Sequence, residues 1–139
     1  MVKATIQKIT TTNNELPAIS IPADHGIVQQ VQCLIEMNYK AKRGQVFYAD
    51  TVNMELTNLN RLLKKYLEKT LSSLIQDRIH KEAEYLLTET TLSCKEIAFA
   101  LDTYDPPYFS RWFKKRTGLT PSQFRQKYQT LPDLTLKNF

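Results

Sequence analysis

Cysteine is scarce in this chain. Cys33 and Cys94 stand alone, without a CxxC pair or a Cys/His cluster, so neither a disulfide framework nor a zinc site is implied. Free thiols of this kind behave as small hydrophobes, and both are expected to be partly buried in a reducing cytosol. His25 and His80 lie far apart in sequence with no partner motif, and no Ser/His/Asp or paired-carboxylate constellation stands out. No catalytic, cofactor or metal residue is therefore assigned, and the chain is not expected to be an enzyme. Long apolar runs are missing too. None approaches the ~20 residues that span a bilayer, and the N-terminus has no apolar signal-peptide core. The expectation is a cytoplasmic protein with no membrane partner.

Acidic residues are absent from one long stretch. Between Arg111 and Lys127 there are six bases and no acid, whereas residues 71–89 hold four acids (Asp77, Glu82, Glu84, Glu89) against two bases. The whole chain carries +5, and residues 1–26 contribute nothing to it. With 42% hydrophobic and 24% charged residues the composition is that of a globular protein. A clustered positive charge is compatible with nucleic acid, although a charge run by itself is usually a solvated face.

Residues 1–26 are rich in Thr, Asn, Ser and Ala, with weak periodicity, and are read as a linker or N-terminal arm. From Ile27 the pattern is helical to about Tyr39, and a short helix follows around Val46 to Thr51. The next helix is predicted over Leu56–Leu67, with Leu59, Leu62, Leu63 and Tyr66 on its buried stripe. A longer one runs from Leu71 to about Thr88, where Leu71, Leu74, Ile75, Ile79, Ala83, Leu86 and Leu87 keep i, i+3, i+4 spacing. Start signals are clear in the second half. Ser93 and Glu96 form a capping box, Asp105 precedes Pro106 and Pro107 as an N-cap, and Thr120, Pro121 and Gln123 repeat the logic. Gly118 is a left-handed stop for the helix before it. The count is seven helices and no strand.

The chain also repeats itself. "LNRLLKK" from Leu59 to Lys65 returns as "FSRWFKK" from Phe109 to Lys115. At an offset of fifty, Arg61, Lys64, Lys65, Thr70, Ser72 and Gln76 match Arg111, Lys114, Lys115, Thr120, Ser122 and Gln126. Upstream, Ala49 and Val52 match Ala98 and Leu101 at an offset of forty-nine, so the second copy has one extra residue in its turn. Each copy is a short helix, a tight turn and a longer basic helix, which is a helix-turn-helix written twice. In such a unit the second helix enters the major groove. With Leu59, Leu62 and Leu63 turned inward, Thr57, Asn60, Arg61 and Lys64 face out. With Phe109, Trp112 and Phe113 turned inward, Pro107, Tyr108, Ser110, Arg111 and Lys115 face out, and Arg116 is added as a further DNA contact. Arg suits a guanine edge and Asn an adenine edge, whereas Lys suits phosphate as a point charge.

The stretch "IAFALDTYDPPYFSRWFKKRTGLTPSQFR", Ile97 to Arg125, closely resembles the signature of AraC/XylS-type transcriptional regulators. "FYADTVNMELTNLNRLLKKYLEKTLSSLIQDRI", Phe47 to Ile79, looks like that family's first helix-turn-helix and connecting helix. The resemblance implies an all-α fold of seven helices, with two helix-turn-helix units joined by a long connecting helix. The expected division is 27–70 for the first unit, 71–89 for the connecting helix, 90–130 for the second unit and 131–139 for a C-terminal tail. The implied partner is double-stranded DNA, read in two successive major grooves about 34 Å apart, with RNA polymerase as a further partner. Family members usually carry an effector-binding or dimerisation domain, which 26 residues cannot build. Some are joined to a DNA-repair alkyl-transfer module with a cysteine in a zinc site, which two isolated cysteines cannot supply.

Three positions depart from the family pattern. Asp102-Thr103 replaces Gly-Phe in the second turn, so a core aromatic is lost unless Tyr104 takes its place. Glu68 stands where Gly is general, which predicts a less clean end to the first recognition helix. Glu55 holds the usual Ser/Thr N-cap place, where its carboxylate repels phosphate. The second unit, with six bases against Asp105, is thus expected to be the better DNA reader. The competing class is a helical protein-interaction module whose basic charge is incidental.

Overall fold

A computed structural model describes residues 23–41, 44–102 and 105–130. They form α1 (Ala23–Asn38), α2 (Gln45–Thr51), α3 (Leu56–Leu67), α4 (Leu71–Glu89), α5 (Cys94–Ala100), α6 (Pro106–Thr117) and α7 (Pro121–Tyr128), with no strand among them. The arm over residues 1–22 and the tail over 131–139 lie outside the described residues. Helix α1 begins at Ala23, four residues before the apolar run that marks it in the sequence. Asp24 in its first turn favours the helix N-terminus electrostatically, and the ring of His25 meets Tyr66 edge-on at 5.8 Å. Of the two thiols, Cys94 is half-buried as expected, but Cys33 is exposed, because Val28, Val31 and Ile35 take the inner face of α1.

The predicted stripes form the core. Leu59, Leu62, Leu63, Leu71, Ile75, Ile79, Ala83, Leu86 and Leu87 are buried, while Tyr66 and Leu74 pack partly covered against them. Helices α1, α2 and α3 pack together, α5, α6 and α7 pack in series, and α4 touches both groups. At 19 residues, α4 is a rod of about 28 Å. Ala49 and Ala98, paired in the sequence repeat, are both buried. So are the counterparts Leu59 and Phe109, and Leu63 and Phe113.

The repeat extends to backbone. Asn53 and Asp102, forty-nine apart, each hold left-handed backbone in their turns, with φ of 57° and 61°. Asp102 thus occupies the conformation that glycine would adopt without strain, and Asn and Asp bear it better than most residues. Thr103 and Tyr104, the latter expected to restore the lost aromatic, lie outside the described residues. Glu68 and Gly118 close α3 and α6, each sending its N–H to the carbonyl four residues back, Lys64 and Lys114. Helix α3 therefore ends on the same bond as α6, and the cost of Glu68 is strain rather than fraying.

Each end of α4 is capped by a different unit. At its N-terminus the Asn60 Oδ1 accepts from Leu71 N–H at 2.8 Å and the Thr70 hydroxyl accepts from Ser73 N–H at 3.2 Å. At its C-terminus the Arg125 guanidinium donates to the carbonyls of Leu87 at 2.9 Å and of Leu86 and Thr90 at 3.3 Å. These bonds satisfy backbone groups that a helix end otherwise leaves open. Glu36 of α1 and Arg78 of α4 form a two-point ion pair at 2.8 and 2.9 Å, with the guanidinium 4.2 Å above the Tyr39 ring. Among the described residues no helix is long and apolar enough to cross a membrane.

Candidate nucleic-acid interface

Helix α3 turns Leu59, Leu62 and Leu63 into the core and leaves Thr57, Arg61, Lys64 and Lys65 exposed. Helix α6 buries Phe109 and Phe113, half-buries Trp112 and exposes Pro107, Tyr108, Arg111, Lys114 and Lys115. The two outward faces are copies of one another, Arg61–Lys64–Lys65 in one and Arg111–Lys114–Lys115 in the other. Lys114 was not singled out from the sequence as a contact, although its repeat partner Lys64 was, and the alignment of the copies was the available signal. Ser110 is half-buried at the edge of its face.

The two faces open differently. Asp105 caps α6, its carboxylate accepting from Tyr108 N–H at 3.2 Å, and Pro106 begins the helix where no N–H is needed. Glu55 has the same extended N-cap backbone at α3 but makes no side-chain cap bond. Its carboxylate stays exposed at the mouth of the first recognition helix. Arg61 Nη1 donates to Asn58 Oδ1 at 2.9 Å, a short-range bond that keeps the guanidinium on the outer face.

Two sequence-assigned contacts also have partners within the protein. Asn60 is half-buried, and its Oδ1 is committed to Leu71 N–H. A two-point adenine contact uses both the oxygen and the nitrogen of the amide, so the α4 cap and a base compete for the Asn60 oxygen. Arg116 donates from Nη2 to Asp77 Oδ1 at 2.6 Å and lies 5.5 Å over the Trp112 ring. Arg125 is likewise occupied at the end of α4. Two of the six bases of the second unit are thus paired within the protein, Arg116 while still exposed, and both recognition helices present one arginine and two lysines at matching places. Lys69 of the first unit is paired as well, so the second unit keeps an advantage, from Lys127 and from one acid (Asp105) against two in the first (Glu55 and Glu68).

Several contacts that the sequence did not reveal run through α4. Trp112 Nε1 donates to Gln76 Oε1 at 2.8 Å, and the His80 ring stacks on Phe113 at 5.3 Å. Asp77, which reads in sequence as one of the solvated acids of residues 71–89, accepts from both Lys69 and Arg116. Burial pushes its carboxyl up, but the hydrogen bonds and charges of Lys69 and Arg116 outweigh that and hold it below the usual carboxylate range.

Two exposed, basic helices, each at the second position of a helix-turn-helix and braced on one rod, define a tandem helix-turn-helix DNA-binding domain. The helix-turn-helix domain family matches residues 48–127. The chain belongs to this family, in its AraC/XylS type. It is 32% identical over 116 residues to the bifunctional transcriptional activator/DNA repair enzyme AdaA of Bacillus subtilis, a match covering 83% of this chain and 52% of that protein. It is also 32% identical over 87 residues to the xylose operon regulatory protein of Haemophilus influenzae, covering 63% of this chain and 22% of the other. The chain thus spans about half the length of AdaA and a smaller part of the xylose regulator. Among solved structures, the C-terminal domain of AraT, a response regulator from Geobacillus stearothermophilus, superposes with a TM-score of 0.70 at 26% identity, covering 77% of this chain and 89% of that one.

Proposed function

We propose that this chain is the DNA-binding part of a sequence-specific transcription regulator, which places one recognition helix in each of two successive major grooves. The observation that carries this reading is the duplicated outward face, Arg61–Lys64–Lys65 and Arg111–Lys114–Lys115, on helices that share α4 as a spacer. Arg61 and Arg111 are assigned to base edges, with Thr57, Pro107, Tyr108 and Ser110 beside them. Lys64, Lys114 and Lys115 are assigned to phosphate, where a point charge suffices. Both units have the same chain order in one polypeptide, so the target is an asymmetric direct repeat of about 15 to 20 base pairs. The division into units at 27–70 and 90–130, with 71–89 between them, belongs to the same reading. So does a cytoplasmic location with RNA polymerase as a further partner. No catalytic role is assigned to this part of the chain, and the DNA-repair activity in the name of AdaA is not carried over.

A duplex selected from a random library by this chain, then footprinted, tests the reading. Protection should span two successive major grooves on one face, and log affinity should fall linearly with log salt, as counterions leave the phosphates. Protection of a single groove or a strict need for a palindrome would overturn the tandem mode, and the absence of salt-dependent binding to duplex DNA would favour the protein-interaction reading.

A further inference from the structure

Lys69 follows directly on Glu68, the residue that closes α3, and Arg116 lies in the last turn of α6. Their side chains converge on one carboxylate. Asp77 Oδ2 accepts from Lys69 Nζ, and Asp77 Oδ1 accepts from Arg116 Nη2 at 2.6 Å. A single residue of the connecting helix therefore joins the C-terminal ends of both recognition helices. Two neighbours on α4 reinforce the second arm, Gln76 through the Trp112 indole and His80 through the Phe113 ring. Helix α6 packs on α5 and α7, which in turn pack on α4, and these side chains add a direct link from α6 to the rod. Asp77 is also unlike the other acids of α4 in its partners. Glu82 bonds to Arg78 within α4 and to Lys40, and Glu84 bonds to His80 of its own helix, so neither reaches a recognition helix.

We propose that Asp77 is a specificity-determining positioning residue, which fixes the angle between α3 and α6 and so the half-site spacing that the chain accepts. This rests on the two-groove reading. Asp77 need not touch DNA to act. Two linked recognition helices gain affinity from simultaneous engagement only when their geometry matches the target, and that gain is lost when it does not. Inserting one base pair between half-sites rotates and shifts one groove relative to the other, so a rigid pair rejects it and a loose pair tolerates it. An uncharged amide cannot hold both arms, because Asn offers one acceptor oxygen where the carboxylate offers two.

The test compares Asp77→Asn with Arg116→Gln in the whole chain, on three duplexes at fixed salt: the library-selected site, the same site with one base pair inserted, and one half-site alone. The two variants change net charge in opposite directions, so a simple charge effect moves their half-site affinities apart, upward for the first and downward for the second. Both should nevertheless reduce the preference for the selected spacing over the inserted one, by roughly tenfold. An unchanged spacing preference in either variant, or changes of opposite sign, overturns the proposal. Residual dipolar couplings of the free protein give a readout without DNA. The amides of α3 and α6 should share one alignment in the wild type and require two in Asp77→Asn, and one shared alignment in both also overturns it. Should the wild type itself show no spacing preference, the two-groove reading and the specificity role fall together, whereas a spacing preference kept by both variants removes Asp77 alone.

Discussion

Glu68 and Gly118 stand at the same place in the two copies, each closing its recognition helix in left-handed backbone, with φ of 60° and 85°. Only glycine holds that conformation without a Cβ penalty, which is of order 1–2 kcal/mol for other residues. Glu68→Gly should therefore raise the stability of the chain by about 1 kcal/mol. Gly118→Ala should lower it by a similar amount, although no heavy atom lies within 4 Å of the added Cβ. Urea unfolding midpoints of the two variants check both signs, and a destabilised Glu68→Gly would mean that the side chain has a compensating role.

Asn60 separates a structural from a reading role. Losing the Oδ1 bond to Leu71 N–H removes a cap from α4, and caps of this kind contribute roughly 0.5–2 kcal/mol. Asn60→Ala should lower the unfolding midpoint while leaving the selected DNA sequence unchanged. A shift in base preference at one position, with stability intact, would return Asn60 to the readers.

The outward arginines and lysines should behave differently on DNA. Arg111→Ala should cost roughly 1–3 kcal/mol on the selected site and relax the preference at one base, as expected for loss of a base-edge contact. Lys115→Ala should weaken all sequences about equally and lower the salt slope by about one. Titrations on the selected duplex and a scrambled one, each at several salt concentrations, measure both quantities. Equal losses on the two duplexes for Arg111→Ala would assign it to phosphate.

The first recognition helix carries a removable handicap. Glu55 is exposed at its N-terminus and makes no cap bond, whereas serine there would cap the helix and remove a charge that repels phosphate. Glu55→Ser should strengthen DNA binding, and alanine at Arg111 or Tyr108 should weaken it more than alanine at Arg61 or Thr57. With Arg116 and Arg125 each bonded to groups of the same chain, that difference is modest. Larger losses at Arg61 and Thr57 would make the first unit the main reader.

Acid should loosen α1 from α4. The hydrogen bond from Arg78 holds the Glu36 carboxyl below its ordinary value, outweighing the opposing effect of burial. A lowered folded pKa contributes stability that is present above the unfolded value, near 4.3, and is lost as pH falls through the folded one. The wild type should thus be more stable than Glu36→Gln at pH 7, and the difference should close below about pH 4. Denaturant midpoints at pH 7 and pH 3 show whether it does.

Most of this architecture was legible because it is local. The bounds of α3, the start of α4, the capping boxes of Ser93 and Thr120 and the proline start of α6 depend on residues within one or two turns. The beginning of α1 was not, since Ala23 to Gly26 carry no apolar periodicity. Partner choice by long side chains was not legible either. Asn60 finds Leu71 eleven positions on, Arg125 finds Leu87 thirty-eight back, and Arg116 finds Asp77 thirty-nine back. Outward spacing on a helix shows which side chains leave the core, and tertiary neighbours decide whether another part of the protein captures them first.

The double capping of α4 has a consequence for how the chain comes apart. Residues of the first half close the N-terminal end of that helix, and Arg125 of the last helix closes the other. Melting either half uncovers backbone groups in a helix on which the other half depends. Heat should therefore take the molecule down in one calorimetric transition instead of two, and amide hydrogens in the middle of α4 should exchange only through global opening. A pair of modules descended from one repeat would then behave, on heating, as a single cooperative body.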